Sequence, residues 1–290
     1  MRTIGFLNSG VKGRHFDKHV DAFRQGLKDT GCVEGKDVKI VFEWAHGNYP
    51  ELPKLAAKLV KRKVDVIAAT GGTVAGHAAA KATKTIPVLF VSGFSPSKAG
   101  LMKGRNTRGV HVPTTESVPK RLAKLRQLAP KADKVAVLLR PGTFVFQREK
   151  EHAKDAGLII VQAKEETDFP KAFKDAIKKG AQALIVCADP YFTSHRKKLI
   201  VLAAEHRLPT AYPWREYPEE GGLMSFGPNL CEAYRHVGEY AGNIIRQYEH
   251  RGPRVKKNKI SDFELVVNAR TAQQLGLSIP ERWKGQAQIV

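Results

Sequence analysis

ALIVCADPYFTSHRKKLIVLAAEHRLPTAYPWREYPEEGGLMSFGP, at residues 183–228, is the stretch that decides the fold. Its first five residues, 183–187, are apolar and too few for a helix, which is typical of a strand buried on both faces. Thr193 or Ser194 can cap the helix that follows. Short strands are predicted at 210–212 and 223–226, on either side of a polar and aromatic loop at 213–217. Charged and aromatic residues therefore follow the strand ends, where open parallel sheets bind ligands.

The same alternation of strands and helices runs through the rest of the chain. Before the quoted stretch, it predicts strands at 3–7, 38–44, 64–69, 87–91 and 109–112, and then a second series from 118 onward. After it come a long helix at 230–251 and a last strand at 264–267. The pattern predicts an α/β protein of two lobes, each a doubly wound parallel sheet. The cleft between such lobes is the expected ligand site.

Composition and charge indicate which classes of protein the chain can belong to. The chain has 290 residues, 42% hydrophobic and 27% charged, with a net charge of +21. No apolar run approaches the roughly 20 residues of a membrane span, and the run at 3–7 is too short for a signal peptide. The sequence thus predicts a cytoplasmic chain, or a mature form whose leader was removed.

A net positive charge is typical of nucleic-acid-binding proteins, but the distribution of the charge along this chain argues against nucleic-acid binding. Lysines are spread over almost every predicted helix, and the single dense basic run, at 256–259, follows a Gly-Pro pair. No known nucleic-acid-binding motif is visible. A generally basic surface suits an anionic ligand, an acidic partner or a membrane face.

Several polar residues follow strands of the first lobe. The segment Thr70-Gly71-Gly72-Thr73 opens a helix directly after a buried strand. Free backbone N–H groups and the helix dipole favour an anion such as a carboxylate there. The other interpretation is a tight turn with Thr73 as the N-cap. Asn8 and Ser9 follow the first strand and Ser92 the fourth; they can hydrogen-bond a ligand or simply form turns.

In the second lobe, Asp189 follows a buried strand and can pair with a ligand ammonium, or else cap the next helix. Tyr191 and Phe192 can stack on a ligand ring or cover the core. Arg140 is a candidate for an acidic ligand group, and otherwise a solvated loop charge.

The segment Tyr212–Glu216 adds a further cluster. Arg215 can bind a carboxylate with two parallel hydrogen bonds, and Trp214 offers a flat apolar face. The alternative is an internal Arg215–Glu216 brace near a hinge, with Trp214 on the surface.

Metal and catalytic signals are weak. His15 and His19 are four residues apart near a helix start, but two ligands alone do not make a metal site. No nucleophile elbow or zinc-protease motif is present. The sequence predicts no cofactor, no metal and no enzymatic activity.

Two blocks resemble a known family. FRQGLKDTGCVEGKDVKI at 23–40 and HRLPTAYPWREYPEEGGLMSFGP at 206–228 are similar to the substrate-binding proteins of ABC transporters, in the bacterial branch that includes tryptophan- and tyrosine-binding members. LPKLAAKLVKRKVDVIAATGG, IPVLFVSG, KVAVLLRPG and FELVVNARTAQQLGLSIP match the same family in order. Two cleft loops depart from it: Ser92-Gly93-Phe94 stands where Gly-Asp-Pro is frequent, and Arg140-Pro141 where Asn-Pro is common.

The resemblance implies a periplasmic-binding-protein-like fold of type I, with two lobes joined by a three-segment hinge. Lobe A would be residues 1–113 plus 227–252, and lobe B 114–222 plus 262–290. The hinge crossings would fall near 113–116, 222–227 and 252–262. The expected function is to bind an amino acid or an aromatic or carboxylated compound in the cleft, with hinge closure, and to deliver it to an ABC permease. The family implies a periplasmic or extracytoplasmic location.

The predicted ligand-binding residues are Asn8, Ser9, Thr70, Gly71, Gly72, Thr73, Ser92, Gly93, Arg140, Asp189, Tyr191, Tyr212, Trp214, Arg215 and Glu216. Two other functions stay open from the residues themselves: an α/β enzyme that uses the same cleft, and a basic cytoplasmic sensor or nucleic-acid-binding protein.

Overall fold

Strands and helices alternate from the first residues onward. The structure is a computed structural model that describes residues 1–95, 100–101, 106–143, 146–248, 260 and 262–290, without the side chains of residues 14–16 and 248. The basic run at 256–259 and most of the predicted third crossing at 252–262 lie outside the described residues, as does the side chain of His15.

The strands are β1 (Arg2–Asn8), β2 (Val38–Trp44), β3 (Val66–Ala69), β4 (Val88–Ser92), β5 (Thr107–His111), β6 (Val135–Leu139), β7 (Ile159–Gln162), β8 (Ala183–Val186), β9 (Thr210–Tyr212), β10 (Met224–Pro228), β11 (Phe263–Val267) and β12 (Ala287–Ile289). The helices are α1 (Arg14–Asp29), α2 (Leu52–Lys61), α3 (Gly72–Ala82), α4 (Val118–Leu128), α5 (Phe146–Asp155), α6 (Phe169–Lys178), α7 (Pro190–Ser194), α8 (Arg196–Glu205), α9 (Glu216–Glu219), α10 (Leu230–Tyr248) and α11 (Ala269–Gln274). Short 3-10 turns occupy Tyr49–Glu51, Glu166–Asp168 and Glu281–Trp283.

The chain divides into two units. Unit 1 comprises residues 1–113 and 229–261, and unit 2 comprises 114–228 and 262–290. The chain therefore passes from one unit to the other three times, at 113/114, 228/229 and 261/262. Each unit is completed by a segment that is distant in sequence.

Unit 1 is built on a five-stranded sheet in the order β2-β1-β3-β4-β5, and all its pairings are parallel. Successive side chains of a strand point to opposite faces. The backbone of Gly5 approaches Leu59 of α2, whereas the ring of the next residue, Phe6, packs on Phe23 of α1 and Tyr234 of α10. Helix α2 thus covers one face of the sheet, and α1 and α10 cover the other.

Unit 2 has a seven-stranded sheet in the order β12-β11-β10-β9-β8-β6-β7. Strand β11 runs antiparallel to β10, so the sheet is mixed and not purely parallel as predicted. The C-terminal tail, for which no pattern was predicted, adds β12 parallel to β11. Trp283 from this tail is buried in the same apolar cluster as Leu125 of α4 and Ile185 of β8.

Three local predictions are wrong. Neither Thr193 nor Ser194 caps the helix after β8; Asp189 caps the short helix α7, and α8 begins separately at Arg196. Thr73 is not an N-cap, because Gly71 holds that position and Thr73 lies inside α3. The predicted loop at 213–217 contains the start of α9.

In the described part of the chain, the search for a helix long and apolar enough to cross a membrane finds none.

Candidate functional site

Unit 1 gathers polar side chains where β1, β3 and β4 end. We call Asn8, Ser9, Thr70, Thr73 and Ser92 the polar cluster; each of these residues is buried. The Asn8 amide nitrogen donates to the Thr70 hydroxyl at 3.1 Å, and the Thr73 and Ser92 hydroxyls lie 3.2 Å apart. The parallel sheet therefore brings together the residues that the sequence predicted at this edge, and Gly93 directly follows Ser92.

The loops after β1 and β3 approach each other so closely that position 71 requires glycine. A Cβ atom there would lie 2.1 Å from the backbone nitrogen of Ser9, well inside van der Waals contact. The Ser9 hydroxyl donates to the Gly71 carbonyl at 2.7 Å. The missing side chain of Gly71 thus allows the polar cluster to form.

The first turn of α3 has no side-chain cap and no acidic residue among the described residues. The N–H groups of a first helical turn lack acceptors within their own helix, and the helix dipole adds partial positive charge. This 11-residue helix begins at Gly72, beside Thr70 and Ser9. The arrangement can bind an anionic or carbonyl oxygen.

Helix α10 supplies a partner that the sequence did not predict. The Tyr234 hydroxyl accepts from the Asn8 amide at 3.1 Å and donates to the Thr70 carbonyl at 3.0 Å. Tyr234 is almost fully buried. The sequence places it on the apolar face of the long helix, and that position indicates core packing but not a hydrogen bond to the strand ends.

In unit 2, Arg140 and Tyr191 meet beyond the ends of β6 and β8. The Arg140 guanidinium carbon lies 4.3 Å from the Tyr191 ring centre, and the His195 ring centre lies 4.1 Å from it in a stacked arrangement. Tyr191 therefore has both a cation and an imidazole ring in contact distance of its aromatic ring. Phe192 is fully buried and packs edge-on against Phe169. Phe192 thus covers the core, and contact of the Tyr191 ring with a ligand stays a prediction.

Asp189 acts as the cap that the sequence offered as an alternative. Its carboxylate accepts from the Tyr191 backbone nitrogen at 2.8 Å, and its own carbonyl accepts from the Thr193 hydroxyl at 3.0 Å. The Arg140 guanidinium donates through Nε to the Lys164 carbonyl at 3.0 Å. These bonds hold both charged side chains in position; a ligand contact by either of them stays a prediction.

Unit 2 contains two buried ionisable side chains that the sequence analysis did not single out. Glu149 of α5 is buried, and burial, with a further contribution from the nearby charge of Asp189, raises the pKa of its carboxyl to about 8. Arg121 of α4 is fully buried, and burial lowers the pKa of its guanidinium to about 10. Burial likewise raises the pKa of the Cys187 thiol, so it is a poor nucleophile.

The sequence carries a signal for both of the missed charges. Arg121 lies three residues after Val118 and four before Leu125, on the apolar stripe of α4, and Glu149 lies between Phe146 and Ala153 on that of α5. Charged residues at core-facing positions of a helical repeat indicate buried, specific roles.

The segment 212–217, at the end of β9 and beyond it, contains buried aromatic side chains. Tyr212 is fully buried and stacks on Tyr217 with ring centres 4.4 Å apart. Trp214 is also buried, not on the surface as the alternative interpretation required. Arg215 forms salt bridges with Glu219 at 2.8 Å and Glu264 at 3.5 Å. The alternative interpretation had expected a salt bridge to Glu216 instead. The assignment of this segment to ligand binding stays a prediction.

Within the described residues, no group of three or more His, Cys, Asp or Glu side chains could hold a metal ion.

Known proteins resemble this chain in both sequence and fold. A family model described as "ABC transporter substrate binding protein" matches residues 8–290. The tyrosine-binding protein of Clostridioides difficile (strain R20291) is 26% identical over 288 residues, which are 95% of this chain and 81% of that protein.

Two solved structures share the fold. A conserved domain protein from Vibrio cholerae superposes with a TM-score of 0.82 at 23% identity, covering 99% of each chain. The ABC domain from Streptococcus pneumonia in complex with L-Trp gives a TM-score of 0.80 at 22% identity, covering 99% of this chain and 100% of that one. The predicted class of two α/β lobes is confirmed.

Proposed function

Because this chain belongs to the ABC transporter substrate binding protein family, we propose that it binds a small solute in a cleft between its two units and delivers it unchanged to the permease of an ABC importer. The family match confirms the resemblance stated from the sequence. The importer role, the cleft and the permease are our proposal, as is a periplasmic or extracytoplasmic location.

The observation that carries the proposal is the uncapped first turn of α3 beside the polar cluster. A ligand carboxylate bound there would accept from backbone N–H groups and complement the helix dipole. The Thr73 hydroxyl, 3.2 Å from that of Ser92, is placed to add a hydrogen bond. Preformed donors of this kind bind an anion without a large reorganisation of the protein.

We assign the charged groups of unit 2 to the other end of the ligand. The Asp189 carboxylate is held by its bond to the Tyr191 nitrogen and would pair with a ligand ammonium. Arg140 would bind a second acidic group. An amino acid, or an aromatic or carboxylated compound, fits these donors and acceptors. Relatives described as binding tyrosine or containing L-Trp support this class.

Binding would shift the protein towards a closed state. We propose that the passages at 113/114 and 228/229, together with the predicted crossing at 252–262, act as the hinge, because the residues that absorb a hinge motion are few and lie between the moving units. A ligand that contacts both units stabilises the closed state by its difference in affinity for the two states.

A ligand screen tests the proposal. Amino acids and aromatic acids are screened by thermal shift, hits are titrated by calorimetry, and closure is followed by small-angle X-ray scattering. A true ligand raises the midpoint of unfolding with its concentration, and Thr73→Val weakens its affinity about tenfold through loss of a charge-assisted hydrogen bond.

Thr3→Val is the matched control, since it makes the same change at the opposite end of the same sheet. It leaves affinity unchanged. If no compound stabilises the protein, or if a bound compound is recovered chemically altered, the proposal is wrong.

A further inference from the structure

Unit 2 contains a pocket of about 320 Å³ between α8 and α11, beside the turn Gly221-Gly222. Leu208 and Leu223, which line it, come just before β9 and β10. These strands run parallel to β8. The pocket therefore lies towards the amino ends of β9 and β10, whereas Arg140 and Asp189 follow the carboxyl ends of β6 and β8. Of the predicted ligand-binding residues, its lining includes Tyr212 alone.

The floor of the pocket is apolar. Ile200 and Ala203 of α8, with Leu208, Leu223 and the ring of Tyr212, line it, and all five are buried. Burying an apolar ligand surface against such a floor is favourable because it removes apolar area from water. The volume is at the small end of the range for ligand pockets, which begins at about 300 Å³. It suits a single ring or a short branched chain.

The mouth of the pocket carries a positive charge. Arg207 lines it and is exposed, and within the described ranges its guanidinium has no hydrogen-bond or ion-pair partner. No acidic residue lines the pocket. Gln274 and Thr271 are the neutral polar residues at the α11 side, and the Thr271 hydroxyl is engaged with the Gly221 carbonyl at 2.9 Å.

The position of Arg207 is unusual for a long side chain. It follows α8 with a φ of 48°, in the left-handed region that favours glycine after a helix. Lys63 follows α2 with a φ of 52°, so this backbone conformation does not itself indicate a ligand. Arg207 differs from Lys63 because its exposed side chain lines the mouth of an apolar pocket.

We propose that this pocket is a second binding site, for a small organic anion with an apolar body such as an aromatic monocarboxylate. The ring lies on the floor formed by Leu208, Leu223 and Tyr212, and the carboxylate pairs with Arg207. The pairing of one unpartnered cation with an apolar cavity that lacks acids is the charge complementarity on which the proposal rests. It is independent of the function proposed above.

The test uses 4-fluorobenzoate as the probe, titrated into the intact protein and followed by fluorine NMR, with uncharged 4-fluorobenzamide as its comparator. We expect saturable binding of the benzoate and weaker binding of the benzamide. Ala204→Trp fills the pocket from an exposed position and abolishes binding. Arg207→Gly weakens it roughly fivefold, as expected for a solvent-accessible ion pair.

Lys63→Gly is the control, because it makes an equivalent change after a helix of unit 1. It leaves affinity unchanged. Circular dichroism checks that each variant folds. The proposal is overturned if the wild type shows no saturable binding, or if Arg207→Gly and Lys63→Gly act alike. Binding that survives Ala204→Trp but is lost in Thr73→Val belongs to the other site and also overturns it.

Discussion

Glu149 shows how one side chain couples stability to pH. Its carboxyl has a pKa near 8 in the folded protein and near 4.5 when solvated, because burial disfavours the charged form. Below pH 4.5 it is protonated in both the folded and the unfolded chain. As the pH rises towards 8, the unfolded chain releases the proton first, so the free energy of unfolding falls over this window.

Glu149→Gln should remove that dependence. We expect the variant to be more stable than the wild type at pH 8 by about 4 kcal/mol and nearly equal to it at pH 4.5. Urea unfolding at several pH values measures the difference. Glu151→Gln, on the exposed side of the same helix, is the control and changes little. A wild-type profile that is flat between these pH values would contradict the prediction.

At the scale of elements, α1 packs closely against α10 in unit 1. A Cβ atom on Gly26 of α1 would lie 1.9 Å from the Arg235 carbonyl oxygen of α10. Backbone atoms in both helices cannot move aside without disturbing the sheet beneath them. Glycine at this position therefore sets the distance between the two helices.

Gly26→Ala should force these helices apart. We expect a loss of about 2 kcal/mol in the free energy of unfolding, as for other overpacked cores, despite the better helix propensity of alanine. Lys28→Ala, at an exposed position of α1, provides the comparison. Equal stability of Gly26→Ala and the wild type in chemical denaturation would refute this prediction.

Element positions were largely predictable, and strand direction was not. Apolar runs and alternation placed β2 and β9 at the bounds that the structure has. The apolar run of β11 carries no information about direction, because a strand has the same pattern parallel or antiparallel. Its pairing to β10 depends on the path of the chain after α10, which crosses between units.

The sequence predicted the candidate site residues of unit 1 better than those of unit 2. Asn8, Thr70 and Ser92 follow successive buried strands, so topology alone brings them to one edge of the sheet. Burial of Glu149 depends on which helices and loops pack around it. Such tertiary contacts override the usual expectation that charged residues are exposed.

For the whole molecule, the discontinuous units make a clear prediction about fragments. Residues 1–113 contain the complete sheet of unit 1 but lack α10, which contacts α1 and supplies the Tyr234 hydroxyl to the polar cluster. We expect the peptide 1–113 to unfold without a cooperative transition, because α1 alone covers only part of the sheet face that α1 and α10 cover together.

Joining residues 229–248 to that peptide through a flexible Gly-Ser linker should restore cooperative unfolding, measured by circular dichroism with guanidinium. The same linker joined to a scrambled version of 229–248 controls for added length. Cooperative unfolding of 1–113 alone would show that α10 is dispensable.

The three passages between the units also affect the order of events during protein synthesis. A ribosome releases the chain from its N-terminus, and ordinary domains fold as each one emerges. Here unit 1 has to wait for α10, and unit 2 for β12 at 287–289. We expect unit 1 to finish folding only after residue 248 has been translated, and unit 2 only after residue 289. Until then the nascent chain exposes incomplete sheets, which chaperones would have to protect from aggregation.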